Sequence, residues 1–317
     1  MYRSILVPLD GSALGEQVLP LACDLAQQSG AILELVHVHM QHTAALIALA
    51  DVPVIDEKLR SLARQQEQTY LERTREHLLS QFDLQIRVAL LDAGESGIRD
   101  QTIPQLIAGY AATHDTGLLV MTTHGRGGMA RFWLGSVADE LVRTCPIPLL
   151  LVHTHEAGIA PPRLSGIKNI LVTLDGSPLS EEILEPVGKL GALARANYVL
   201  LQVVIPQMLV RSVPFASPVD FDEEDTQHHL AEARNYLEEM VHRMRLAGQV
   251  ASIDVHPAEN VASAILESVD AHHADLLALA THGRSGFVRL VLGSVADKVV
   301  RAASIPVLLY RPRIAAS

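Results

Sequence analysis

Ser4-Ile5-Leu6-Val7-Pro8-Leu9-Asp10-Gly11-Ser12 returns later in the same chain as Asn169-Ile170-Leu171-Val172-Thr173-Leu174-Asp175-Gly176-Ser177. The return is not isolated. Thr123-His124-Gly125-Arg126-Gly127-Gly128 recurs as Thr281-His282-Gly283-Arg284-Ser285-Gly286, and Leu134-Gly135-Ser136-Val137-Ala138-Asp139 as Leu292-Gly293-Ser294-Val295-Ala296-Asp297. Ile147-Pro148 and the leucines after it come back at Ile305-Pro306. Order is preserved, with an offset of 165 residues at the first block and 158 at the later ones. A repeat of about 150 residues has the size of a whole domain rather than of a solenoid unit. The sequence therefore predicts two domains, 1–154 and 166–313, joined by a linker over 155–165 whose Gly158, Pro161 and Pro162 break regular structure.

Within a copy the periodicity alternates. The short branched run at 5–9 reads as a strand buried on both faces. Behind Asp10-Gly11-Ser12, the apolar positions Leu14, Val18, Leu21, Ala22 and Leu25 recur at helical steps until Ser29-Gly30, predicting one helix capped by Ser12 or Asp10. Further strands are expected at 32–38, 85–91, 118–122 and 149–152, and further helices at 57–80, 98–113 and 136–144. The second copy matches, with strands at 199–205 and 276–280. Strand and helix in alternation imply an α/β fold: two repeated Rossmann-like domains, each an open parallel five-stranded sheet with helices on both faces.

Composition narrows the function. The chain has 317 residues, 49% hydrophobic and 19% charged, with a mean hydropathy of +0.22, which supplies a core and excludes disorder as the main state. The net charge is -11; residues 1–160 carry 11 basic and 18 acidic groups, residues 161–317 carry 14 and 18. With neither half basic, nucleic acid is not an expected partner. The longest apolar stretch, 198–210, is interrupted by Gln202, Pro206 and Gln207 and falls short of the ~20 residues a spanning helix needs, so no membrane association is expected. Cys23 and Cys145 form no metal or disulfide pattern. Together with an N-terminus lacking the order of a signal peptide, this predicts a cytoplasmic protein.

In an open parallel sheet, ligands lie beyond the carboxyl ends of the strands where the strand order reverses. Asp10 and Asp175 end the first strand of each copy, and the Thr-His-Gly-Arg blocks follow the fourth. Glycine turns let backbone N–H groups approach phosphate oxygens, and Ser136 or Ser294 adds a hydroxyl at the positive end of the next helix. The combination reads as a polyphosphate cradle, present twice. Neither copy has the lysine-bearing phosphate loop, a dinucleotide Gly-x-Gly-x-x-Gly after the first strand, or a Gly-x-Ser-x-Gly elbow.

This arrangement, covering nearly the whole chain twice, resembles the universal stress protein family in a tandem two-domain form. The resemblance implies bound ATP, with Mg²⁺ as its companion ion. The family's pattern of Gly, two residues, Gly, nine residues, Gly-[Ser/Thr] is matched by Gly125 with Gly135-Ser136 and by Gly283 with Gly293-Ser294. Its first glycine is replaced by Thr122 and Ala280. By resemblance, Asp10 and Asp175, with Gly11, Ser12, Gly176 and Ser177 behind them, would contact the ribose or adenine side. Val38 and Val203 would offer backbone groups to the adenine edge. His124, Gly125, Arg126 and Gly128, and likewise His282, Gly283, Arg284 and Gly286, would line the phosphates. Ser136-Val137 and Ser294-Val295 would close that end. Pro8 also matches the family, and Thr173 replaces it in the second copy.

No catalytic residue and no metal ligand is assigned. His37 and His39, like His153 and His155, stand two apart on strands and face one side, but without a third ligand they read as surface or core histidines. The run from Asp220 to Asp225 reads as a solvated loop ahead of a helix over 226–246. The leading functional reading is a stress-response or signalling protein in which bound ATP controls conformation or the choice of an unidentified protein partner. The opposing readings are a slow ATPase or adenylyl-transferring enzyme, for which no lysine and no acceptor domain is visible, and an interaction module that has lost the nucleotide, supported by Thr122 and Ala280 alone. The two copies are expected to form an intrachain pseudo-dimer or a homo-oligomer.

Overall fold

The side chains of Ile5, Leu6 and Val7 have no exposed surface, because the strand that carries them is covered on both faces. That strand is β1 (Ser4–Pro8). The computed structural model describes residues 1–39, 57–92, 101–123, 134–153, 162–206, 208–209, 220–221, 223–281 and 292–312. The chain divides into two units, Met1–Leu164 and Ser165–Ser317.

In the first unit β1 is followed by α1 (Ala13–Glu16), α2 (Leu19–Ser29), β2 (Ile32–His39), α3 (Glu57–Leu79), β3 (Ile86–Asp92), α4 (Ile103–Thr113), β4 (Thr116–Thr122), α5 (Ser136–Thr144) and β5 (Leu149–Val152). The strands lie in the order β3-β2-β1-β4-β5, and every pair is parallel. Helices α2 and α3 pack on β1, β2 and β3, while α4 packs on β2 and β4 with α5 beside it. In the second unit the elements are β6 (Asn169–Thr173), α6 (Pro178–Glu181), α7 (Leu184–Ala194), β7 (Asn197–Val204), β8 (Met208–Leu209), β9 (Asp220–Phe221), α8 (Glu223–Leu246), β10 (Ala251–Pro257), α9 (Val261–Ala271), β11 (Leu276–Ala280), α10 (Ser294–Ala302) and β12 (Val307–Tyr310). Their five main strands run β10-β7-β6-β11-β12, again parallel. Each unit is thus the expected five-stranded sheet.

Three boundaries differ from the sequence reading, each for a local reason. The single helix expected after Ser12 is two helices in both units. Pro20 lacks the N–H that a continuous helix would need, and its ring would clash with the carbonyl four residues back. It sits instead in the first turn of α2, where N–H groups have no helical partner anyway; Pro186 stands in the first turn of α7. The helix expected over 98–113 begins at Ile103, since Thr102 and Gln105 form a capping box: the Thr102 N–H donates to the Gln105 side chain at 3.1 Å. The acidic run at 220–225 is regular structure where it is described, at 220–221 and 223–225. Asp220–Phe221 pairs antiparallel with Met208–Leu209, and Glu223, Glu224 and Asp225 form the first turn of α8, where carboxylates complement the helix dipole.

The two cores solve one contact differently. On α7, a Cβ added at Gly191 would run into the hydroxyl of Tyr198 at the start of β7, which is 2% exposed. The matching positions of the first unit hold Ala26 and Leu33, both fully buried. The larger strand residue is thus paired with the smaller helix residue.

One charge is buried in the first sheet. Glu34 on β2 is 1% exposed, its Oε2 has no partner, and Arg87 of β3 lies 3.9 Å from Oε1. Burial raises its pKa above the ordinary 4.5, against the opposing pull of His114 and Arg87. A folded-state pKa above the unfolded one means stability that is fully present below the unfolded value and is lost as pH rises through the folded one. Glu34→Gln is therefore expected to raise stability at pH 7 by about 1 kcal/mol and to remove this component of the pH dependence, as read from urea denaturation at a series of pH values.

Candidate functional site

The first lip of the site is the turn that leaves β1. The Leu9 N–H donates to the Val36 carbonyl at 2.8 Å, so pairing with β2 continues past the strand's end. The chain then turns sharply at Gly11, whose φ of 78° is left-handed and favours glycine. Asp10 does not hang free. Its Oδ1 accepts from the Ser12 N–H at 2.9 Å and from the Ser12 hydroxyl at 2.6 Å, and Ser12 Oγ accepts from the Gly15 N–H at 3.0 Å to cap α1. The second unit repeats this at Asp175, Gly176 and Ser177, with the two bonds to Asp175 Oδ1 at 3.0 and 2.6 Å and Gly176 at φ 80°. Ser177 Oγ accepts from the Ser180 N–H at 3.2 Å. Ser12 and Ser177 are helix caps, and each carboxylate is aimed by its own turn.

The second lip is made where β4 and β11 end. The Thr123 N–H donates to the Val152 carbonyl at 3.0 Å, and the Thr123 carbonyl accepts from the Gly135 N–H at 2.9 Å. The same pair of bonds joins Thr281 to Tyr310 at 2.9 Å and Gly293 to Thr281 at 3.1 Å. Gly293 has φ -57°, open to any residue, so conformation does not demand glycine. Proximity makes a side chain tight: a Cβ there would stand 3.1 Å from the Thr281 carbonyl oxygen. Ser136 and Ser294 are the first residues of α5 and α10 and follow directly on Gly135 and Gly293. The glycine-rich blocks at 124–128 and 282–286, with His124, Gly125, Arg126, Gly128, His282, Gly283, Arg284 and Gly286, lie outside the described residues.

Between the lips the second unit has an open cavity of about 610 Å³, within the range of small-molecule sites. Of the predicted residues, Asp175, Gly176, Val203 and Ala280 line it, as do Gly293, Ser294 and Val295. Thr173, the counterpart of Pro8, lines it too, whereas Ser177 does not and stays in its capping role. Sequence reasoning missed a further wall, built from Gln202 and Val204 of β7, Ala233 and Tyr236 of α8, and Val261 and Ile265 of α9. Its signal was present: a tyrosine stands at matching places in the two long helices, Tyr70 and Tyr236. Burial raises the pKa of both phenols, and the carboxylates of Glu16 and Glu181 respectively push the same way. Gln202 is 7% exposed and its Oε1 has no partner.

The first unit brings Pro8, Asp10, Gly11 and Ser12 to the end of β1, Val38 to the end of β2, and Thr122, Gly135, Ser136 and Val137 to the far lip. Beside Val38, His37 and His39 are buried at 7% and 4% exposure. His37 Nδ1 donates to the Leu9 carbonyl at 2.7 Å, and His39 Nδ1 lies 2.6 Å from Glu67 Oε2 of α3. They are core histidines engaged by their own unit. Among the described residues no group of three or more His, Cys, Asp or Glu side chains is arranged to hold a metal, and no helix is long and apolar enough to cross a membrane.

A parallel sheet built twice, each time with the strand order reversing at its central strand, defines a tandem α/β protein. The sequence pattern of the universal stress protein family matches residues 1–153 and again 166–311, so the chain belongs to that family, twice over. A universal stress protein of Mycolicibacterium smegmatis is 28% identical over 223 residues, 69% of each chain. One of Mycobacterium tuberculosis is 29% identical over 206 residues, and the match spans 63% of that relative's length and of this chain. The crystal structure of a putative universal stress protein from Pseudomonas aeruginosa superposes with a TM-score of 0.63 at 18% identity, covering 98% of this chain and 94% of that one; at that identity it speaks for the fold.

The turn geometry generates a test. A Cβ on Gly15 would stand 2.6 Å from Asp10 Oδ1, so Gly15→Ala is expected to displace the carboxylate from Ser12. Ser12→Ala is expected to lose only the cap, about 1 kcal/mol. In urea denaturation Gly15→Ala should cost at least as much as Ser12→Ala; a neutral Gly15→Ala would show that Asp10 is not held as described.

Proposed function

We propose that this chain binds adenine nucleotide at the carboxyl ends of its sheets, with ATP as a ligand that sets conformation or the choice of a protein partner in a cytoplasmic stress response. The observation that carries the reading is the second unit's cavity. Its lining combines the apolar side chains of Val203, Val204, Val261 and Ile265 with polar groups, among them Asp175 and Ser294 at the start of α10. Apolar walls around a few placed polar groups are the usual make-up of a small-molecule site.

The residues fit the nucleotide. A helix start offers N–H groups and the positive end of a dipole to a phosphate. Gly293 leaves open a space that a side chain would fill against the Thr281 carbonyl. Asp175 and Asp10, aimed by Ser177 and Ser12, are placed to accept from ribose hydroxyls, or to approach Mg²⁺ carried by the phosphates. Val203 and Val38 are placed for the adenine edge; the arginines and glycines of 124–128 and 282–286 complete the phosphate end in this reading. In calorimetry with ATP, Gly293→Val is expected to weaken binding at the second site by tenfold or more, about 1.4 kcal/mol. Binding unchanged by Gly293→Val would place the nucleotide elsewhere.

Fast chemistry is not expected of this inventory. Phosphoryl transfer is accelerated by positioning a nucleophile and neutralising the transferred group, and the described residues lining the second crevice, Asp175, Glu232, His229, Ser180 and Ser294 among them, include no lysine or arginine. Hydrolysis in single-turnover experiments should run well below ~1 per second, the low end of ordinary enzymes. Faster cleavage that disappears in a variant with His124 and His282 both changed to Ala would instead identify an ATPase.

A further inference from the structure

We infer that the two nucleotide sites of this chain are not equivalent: the cluster of His37, His39 and Glu67 makes the first unit's base-side wall polar and filled, so that ATP is held more tightly by the second unit. The inference rests on the nucleotide-binding reading and adds to it the residues that set the difference.

Strand register fixes the correspondence. Pro8 pairs with Val36 in the first sheet as Thr173 pairs with Leu201 in the second; His37 therefore stands where Gln202 does, and His39 where Val204 does. On the helices, the Tyr70 hydroxyl donates to Glu16 at 2.9 Å, and Tyr236 lies under the influence of the matching Glu181. Three residues before each tyrosine come Glu67 and Ala233.

In the second unit Val204 and Ala233 line the cavity and pack in an apolar cluster with Leu230 and Val255. In the first unit the same two positions are bridged by the His39 to Glu67 contact at 2.6 Å, and His37 Nε2 lies 3.7 Å from Glu67 Oε1. Two small apolar side chains have become two larger polar ones that are joined to each other. An adenine ring laid against this wall would strip water from the Glu67 carboxylate, whose side chain is still 25% exposed. Burying a charge without a compensating bond is costly. The second wall differs at these two positions, which are apolar; His229, Glu232 and Tyr236 of α8 line the same cavity, and the buried Gln202 Oε1 and Tyr236 hydroxyl have no partner. Adenine, which carries an exocyclic amine, fits the second wall better on both counts.

The test is calorimetry of the full chain with ATP, with thermal melts to confirm folding. The wild type is expected to show one tight site, lost in Gly293→Val, and a second site at least about tenfold weaker, lost in Gly135→Val. The double change His39→Val with Glu67→Ala should tighten the weak site. Glu67→Gln, which keeps the shape and removes the charge, should tighten it in part. The converse pair, Val204→His with Ala233→Glu, should weaken the tight one. Two sites of equal affinity in the wild type, a tight site that follows Gly135, or a weak site unmoved by both Glu67 variants would overturn the inference while leaving nucleotide binding intact. If neither the wild type nor any variant binds ATP, the nucleotide reading itself falls, and this inference with it.

Discussion

The site exists because the central strand of each sheet has its sequence successor on one side and the fourth strand on the other. Right-handed crossovers must leave β1 in one direction and reach β4 and β5 in the other. Such a reversal of strand order sends the connections apart, and the carboxyl ends of the strands there are the usual place for a ligand crevice. Chain at the end of a strand has lost its ladder partners and must find others. Here Asp10 and Thr123 provide them, the first accepting the Ser12 N–H with its carboxylate and the second accepting the Gly135 N–H with its carbonyl. The two lips are in this sense by-products of satisfying backbone groups at a place where the topology leaves them exposed.

Much of this was legible because the chain states it twice. Buried strands read as short branched runs, and the recurrence of Asp-Gly-Ser and Gly-Ser marks both lips without any structural information. What escaped reading was set by contacts distant in sequence. Apolar spacing runs through Pro20 as though the helix were continuous, and only the missing N–H divides it. The base-side wall draws on two helices and a strand, so neither Gln202 nor Ala233 carries a local signal. His37 and His39 show their shared face, but the Glu67 that joins them comes from a helix 28 residues further on. The acidic run near Asp220 looks like a solvated loop because charge hides the turn of helix that it stabilises.

Repetition of the frame has not meant repetition of its contents. The turn at Asp10 and the turn at Asp175 agree in their bond lengths to within a few tenths of an ångström, since a left-handed glycine and a short capping side chain allow little else. Away from the turns, side-chain size and polarity have drifted, as in Gly15 against Ser180, whose hydroxyl bonds the Ser177 carbonyl at 2.8 Å. Geometry near the strand ends is thus fixed by backbone bonding, while the walls are free to vary.

The contact between α7 and β7 carries this furthest. Gly191 beneath Tyr198, and Ala26 beneath Leu33, are two answers to one packing problem, and close-packed interiors accept volume only where it has been removed elsewhere. A recombinant that joined the first copy's helix to the second copy's strand would drive a methyl group into a phenol ring, and the reciprocal exchange would leave a hollow beside Leu33. Descended from one template, the halves have ceased to be interchangeable parts: gene conversion between them would be resisted from inside the core, even at positions no ligand ever touches.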